Sequence, residues 1–145
     1  MKALNTGHDG SLSTCHANST ADTVTRLETM VLMGMELPLQ AIRRQIASGV
    51  DLIVYLGRLR DKSRRLLEIT EVTGMEGEQV ELNPLFLFRV TGEKNGKICG
   101  IQERVGEMKQ IEKFQRAGMW QTEKGISDGY ELRTAPADGN FLAVL

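Results

Sequence analysis

Residues 11–60, SLSTCHANSTADTVTRLETMVLMGMELPLQAIRRQIASGVDLIVYLGRLR, decide the fold. The stretch opens with small and apolar residues at 11–17, bounded by Gly10 and by Asn18-Ser19, which suits a short buried strand. Ser19-Thr20-Ala21-Asp22 then reads as a helix start, because a hydroxyl at the cap can accept from an otherwise orphaned amide of the first turn. Val24, Leu27 and Val31 repeat at helical spacing up to Gly34. Pro38 stands where a first helical turn tolerates a missing N–H. Leu39, Ile42 and Ile46 share one face of a second helix, Arg43 and Arg44 lie on the other, and Gly49 ends it. Residues 51–60 return to a strand pattern.

Downstream, Asp61-Lys62-Ser63 is a turn and residues 65–73 a second strand, so the two strands make a hairpin. Residues 74–78 form another turn, and 79–90 are strand-like but interrupted by Asn83-Pro84, which marks an edge or a bulge. Residues 97–105 read as one more strand, and Met108, Ile111 and Phe114 as a short amphipathic helix ending near Gly118. From Trp120 onward no period is visible, which predicts a poorly ordered tail. Strand, two helices, then a run of strands is α/β passing into an antiparallel extension. The cap signal Asn5-Thr6-Gly7 follows only four residues, so the chain reads as the C-terminal piece of something larger, with Leu12 and Cys15 on an edge strand.

Composition agrees with one globular domain: 145 residues, 41% hydrophobic and 26% charged, which excludes wholesale disorder. Eighteen Lys and Arg against nineteen Asp and Glu give a net charge of -1, so no global field draws the protein onto nucleic acid or an anionic membrane. Cys15 and Cys99 are too few for a disulfide scaffold, which points to a reducing cytosol. No apolar run approaches the roughly 20 residues of a spanning helix.

The chemistry concentrates in residues 6–18, TGHDGSLSTCHAN, which hold both histidines. Gly7 and Gly10 permit a sharp turn that aims N–H groups at an anion, and a histidine beside it can donate to phosphate. Rival readings are weaker. His8, Asp9, Cys15 and His16 lack a recognised metal-ligand spacing, so no metal is expected. Cys15 and His16 are adjacent, and on a strand their side chains would point to opposite faces, so they cannot form a nucleophile pair. A phosphate-facing turn and ordinary turn and strand histidines both stay open on the residues alone. Residues 58–65 hold five basic groups and one acidic; without an interleaved aromatic they read as a solvated hairpin tip or a subunit or nucleotide contact rather than a nucleic-acid patch. Met30, Met33 and Met35 read as core or subunit interface.

The pattern T-G-H-D-G-S-x-x-T-x-H-A-N at 6–18 is long and specific. With RLETMVLM at 26–33, PLQAIRRQIASGVDLIV at 38–54 and ITEVTGMEG at 69–77, it resembles the C-terminal half of the type II/IV secretion ATPase family, in its CpaF-like, tight-adherence pilus branch. The resemblance runs nearly without gaps to about residue 92, loosely to about 118, and stops there. It implies residues 1–92 as the C-terminal part of a RecA-like domain of the P-loop NTPase class, 93–118 as a β/α extension and 119–145 as a tail. It further implies a cytoplasmic hexamer at the inner face of the membrane, working with inner-membrane platform proteins of a pilus or secretion apparatus.

The resemblance assigns His8 and His16 to the catalytic His box, and Thr6, Gly7, Asp9, Gly10 and Arg26 to the neighbourhood of the phosphates. ATP and Mg2+ are the expected cofactors of the intact family protein. A glycine-rich G-x-x-x-x-G-K-[ST] loop and an acidic metal-binding strand, which precede the His box in that family, do not occur in this sequence. The isolated chain is therefore expected to be an incomplete domain that hydrolyses no ATP and binds none tightly. The alternative expectation is a non-catalytic assembly or interaction module related to the motor.

Overall fold

Ser19 caps the first helix as its sequence suggests, its side chain accepting from the Asp22 amide at 3.0 Å while the Asp22 carboxylate accepts from the Asn18 amide at 2.8 Å. The structure, a computed structural model, describes residues 12–112 and the backbone of Leu142–Val144. Its elements in chain order are β1 (Ser13–Cys15), α1 (Thr20–Leu32), α2 (Leu39–Gly49), β2 (Leu52–Arg58), β3 (Arg64–Glu76), β4 (Gln79–Lys94), β5 (Lys97–Arg104) and β6 (Leu142–Val144). The strands form one sheet in the order β1-β6-β2-β3-β4-β5, antiparallel at every step. The protein is thus a mixed α/β fold on an antiparallel sheet, with strand, two helices and a run of strands in the expected sequence.

The core lies between α1, α2 and one face of the sheet. Val24, Ile42, Ile46, Val50, Ile53 and Val72 are buried together, and Leu27, Val31, Tyr55, Val80 and Leu82 pack around them. The α1 stripe and Ile42 and Ile46 of α2 are the ones that helical spacing selects, although Leu39 stays 38% exposed at the start of α2. Arg43, read as an outward group, is half-buried instead: its guanidinium meets Glu28 at 2.8 Å and donates to the Glu78 carbonyl, tying α1, α2 and the β3–β4 turn together. This pair holds Arg43 ionised, its hydrogen bond to Glu28 raising an already high pKa.

The opposite face is crossed by residues 105–110. The carboxylate of Glu71, only 2% exposed, accepts from the Asn83 side chain at 2.9 Å and from the backbone amides of Lys109 at 2.9 Å and Gln110 at 2.7 Å. Asn83 also donates to the Glu107 carbonyl and Gln110 to that of Val72. Gly106 lies so close to the strand that a Cβ there would overlap the Pro84 carbonyl oxygen. A strap of irregular chain is thereby bound to the sheet by polar contacts.

Several sequence expectations change. β1 lies at an edge, as expected, but it is not buried: Ser13 and Thr14 are exposed and Cys15 half-buried, with one flanking strand among the described residues. Met30, Met33 and Met35 are 50%, 84% and 47% exposed, so they are not core; the inward stripe of α1 passes through Val24, Leu27 and Val31 and turns Met30 and Met33 away. β3 continues through Gly74 to Glu76, and its turn to β4 centres on Gly77, in left-handed conformation with φ 60°. β4 is an interior strand that passes Pro84 by a bulge, Ile69 pairing with Phe86 but Thr70 with Pro84. The β5 ladder begins at Phe86, so on that side Pro84 has no strand to donate to. Residues 108–111 are irregular and Glu112 is helical, while the rest of the expected helix, Phe114 and Gly118 included, lies outside the described residues. In the segment read as a tail, Leu142–Val144 form β6.

Candidate functional site

The sequence-predicted site falls on both sides of the boundary of what is described. Thr6, Gly7, His8, Asp9 and Gly10 lie outside the described residues. His16 and Arg26 lie inside, and both are exposed. His16 directly follows β1, and the chain then passes through Ala17 and the Ser19 cap into α1. Arg26 stands six residues into that helix, about 9 Å along its axis. It shares a helix face with Asp22 four residues earlier, and Asp22 reaches back to both the amide and the side chain of Asn18. The β1–α1 junction is therefore rigidly capped, with His16 on one side of it and Arg26 on the other.

Thr20 anchors the same junction to the sheet. Its hydroxyl, 4% exposed at residue level, donates to the Glu68 carboxylate at 2.7 Å, and Thr70 donates to the same oxygen. Thr23, fully buried, donates to the Ser19 carbonyl. None of these contacts is visible from spacing along the chain, since Thr20 and Glu68 are 48 residues apart. The signal that could have found them is the pair of threonines inside the first turn of an otherwise apolar helix stripe.

No group of three or more His, Cys, Asp and Glu that could hold a metal occurs among the described residues. Cys15 and Cys99 are free thiols there, one half-buried and one exposed.

The basic segment 58–65 is the tip of the β2–β3 hairpin, and it is held rather than free. Asp61 accepts from the Ser63 hydroxyl at 2.6 Å, the Ser63 amide at 2.9 Å and the Ile98 amide at 2.8 Å, and Arg60 meets Glu93 at 2.9 Å. These contacts fix the tip against the β4–β5 hairpin. The Ser63 hydroxyl first, and then the Ile98 amide, hold the Asp61 carboxyl down to about 2 from an ordinary 3.8. Its contribution to stability is therefore full above about pH 3.8 and is lost as pH falls through about 2. Asp61→Asn should melt below wild type at pH 7, and the two melting curves should converge between about pH 4 and 2. A melting difference that is the same at pH 7 and pH 2.5 would show that the carboxylate charge plays no part.

Residues 1–128 match the type II/IV secretion system protein family. A Mycobacterium tuberculosis protein named "Putative conjugal transfer protein" is 36% identical over 77 residues, which is 53% of this chain and 22% of that protein. The conjugal transfer protein TrbB of Rhizobium radiobacter is 36% identical over 74 residues, 51% of this chain and 22% of that one. The type IV secretion system protein VirB11 of Brucella suis is 43% identical over 53 residues, 34% of this chain and 15% of that protein. The chain thus matches about a fifth of the length of the first two relatives.

Proposed function

We propose, from the premise that this chain belongs to the type II/IV secretion system protein family, that it is the histidine-bearing portion of a secretion motor ATPase. Residues 1–92 form the C-terminal part of a RecA-like domain, of CpaF-like type, and the working assembly is a hexameric ring at the inner face of the membrane. His8 and His16 belong to the nucleotide-sensing His box, and Thr6, Gly7, Asp9, Gly10 and Arg26 stand near the phosphates. The observation that carries this reading is the capped β1–α1 junction, which presents His16 and Arg26 from rigid elements and leaves both exposed.

ATP and Mg2+ do not fit the described residues by themselves. There is no metal-ligating cluster among them, and the sequence holds no G-x-x-x-x-G-K-[ST] pattern. On this reading the phosphate-loop donors and metal ligands come from another segment of polypeptide. A charge-assisted hydrogen bond contributes about 1.5–3 kcal/mol, whereas micromolar affinity needs about 8 kcal/mol. Two or three such bonds barely reach that figure before the ligand is immobilised, so the chain alone should bind Mg-ATP no better than about millimolar. Calorimetric titration with Mg-ATP and a phosphate-release assay test this, first on the chain alone and then with the portion of the mycobacterial relative that lacks the aligned residues. Weak binding and no turnover alone, with turnover appearing in the mixture, are the expected results. Micromolar binding by the chain alone, or a mixture without turnover, would overturn the reading.

A further inference from the structure

β1 and β2 each pair antiparallel with β6, so they run parallel to one another, joined by the α1–α2 crossover. Cys15 and Tyr55 pair with the same residue of β6, Leu142, so the carboxyl ends of both strands lie at one end of the sheet. Ligands of open α/β sheets bind at that end. His16 and the Ser19 cap follow the first strand there, and the basic tip 58–65 follows the second. Tyr55 pairs with Glu68 and packs against the core beneath the helices. Alternation puts Gly57, and with it the register partner Arg65, on that same face. Arg65 thus stands about 7 Å along the sheet from the row of Glu68, the residue to which Thr20 of α1 is anchored. Its Nε is buried and has no hydrogen-bond partner among the described residues. The nearby carboxylates are engaged elsewhere: Glu68 by Thr20 and Thr70, Asp61 by Ser63 and the Ile98 amide, Glu93 by Arg60. A buried donor without an acceptor is costly, and more so on a charged group. Residues 58–65 and 93–97, tied together by these contacts, hold seven Lys and Arg against Asp61 and Glu93, a surplus of five positive charges in a chain of net charge -1. Arg58 and Arg64 are register partners as well, and like charges directly opposite one another destabilise a hairpin. The tip therefore concentrates positive charge at the expense of its own stability.

We propose that this end of the sheet is a phosphate-binding site, in which the Arg65 guanidinium donates to an anionic oxygen and the other cations of the tip hold the rest of a polyphosphate chain. A guanidinium grips phosphate through a planar fork of donors, which suits a fixed position on a strand. The surplus charge is spread over two hairpins, and a chain of phosphates spans such a surface better than a single ion does. No aromatic side chain is interleaved in 58–65 to stack on bases, so the ligand class is a polyphosphate rather than a single-stranded nucleic acid. The polyphosphate is recognised whether free or as the tail of a nucleoside triphosphate. The site does not depend on the ATPase reading, because inorganic polyphosphate meets the same groups.

The test uses the full chain, isotope-labelled for heteronuclear NMR, and follows the Nε–H resonance of Arg65, assigned through its bonds to the backbone. Inorganic tripolyphosphate should shift that resonance saturably at about millimolar concentration, whereas sodium chloride at matched ionic strength should not. ATP without magnesium is the second arm: equal affinity assigns recognition to the phosphate chain alone, and tighter binding assigns the site to a nucleotide. Arg65→Lys should weaken tripolyphosphate binding about tenfold, since lysine keeps the charge but not the fork. Arg58→Ala should weaken it by a smaller factor, and Arg44→Ala, at an exposed position of α2, should leave it unchanged. Because the wild-type resonance is read directly, the outcome does not hang on any variant folding. An unmoved Arg65 resonance, a shift that chloride reproduces, or an Arg65→Lys protein that binds like wild type would overturn the site. A DNA oligonucleotide that moves the same resonance and binds more tightly than tripolyphosphate would overturn the ligand class. Tripolyphosphate binding with no ATP turnover in the mixture described above would leave the site standing and remove the motor reading.

Discussion

Replacing Glu71 by alanine should lower the unfolding free energy by about 3 kcal/mol or more, among the largest effects of any single change at a polar residue. The carboxylate is 2% exposed and satisfies the Asn83 side chain and the Lys109 and Gln110 amides at once. Removing it strands three donors beneath the 105–110 strap, each worth about 1–3 kcal/mol if no water replaces the lost acceptor. Glu71→Gln keeps one acceptor oxygen and should cost less, whereas Arg44→Ala, at an exposed helix position, should stay within about 0.5 kcal/mol of wild type. Urea denaturation with the slope held in view measures all three. Hydrogen exchange at the Lys109 and Gln110 amides should quicken in Glu71→Ala even under fully folding conditions. A Glu71→Ala protein as stable as Arg44→Ala would show that the strap is not docked.

The contrast between Glu71 and Ile46 says which parts of this fold are legible in the chain. Ile46 is found by arithmetic: its spacing from Ile42 on one helix admits one inward face, and the structure buries both completely. Hairpin order is legible for the same reason, since the turn at Asp61-Lys62-Ser63 and the Asn95-Gly96 pair, with φ of 53° and 71°, are local chemistry. Glu71 follows no such rule. It sits in β3 between Thr70 and Val72, both fully buried, where alternation would call for a solvated face, and only the distant strap explains it. Met30, Met33 and Met35, in and just after α1, fail in the opposite direction, since apolar character alone does not say which way a side chain faces. The strand that closes the sheet against β1 comes from the far end of the chain, 127 residues after Cys15 at their paired positions (142 − 15), and long-range pairing of that kind leaves no local trace. Of the site, the junction that carries His16 and Arg26 was readable from the Ser19 cap; the Thr20–Glu68 anchor beneath it was not.

His16 and Arg26 are exposed at the capped junction, so on the proposed reading their substitution should lower activity more than it lowers stability. His16→Ala should leave the melting of the isolated chain within about 0.5 kcal/mol of wild type in stability. In a protein joined to a complete upstream half it should lower ATP turnover on the order of 10²-fold, the scale for losing one preorganised donor to developing charge. His8→Ala should act in the same direction. Arg26→Ala should likewise reduce turnover, and Arg26→Lys should restore little of it, because a lysine keeps the charge but not the planar fork that grips phosphate or carboxylate. The ring assembly proposed above, followed by light scattering of the joined protein, should be unchanged in all of these. Ser19→Ala supplies the control: it removes the cap that accepts from Asp22, so it should cost about 1 kcal/mol of stability. Its effect on turnover should arise only through that loss. If His8→Ala/His16→Ala turns over ATP at the wild-type rate in the joined protein, the histidines are ordinary turn and strand residues. The motor's phosphate contacts then lie wholly in the other half.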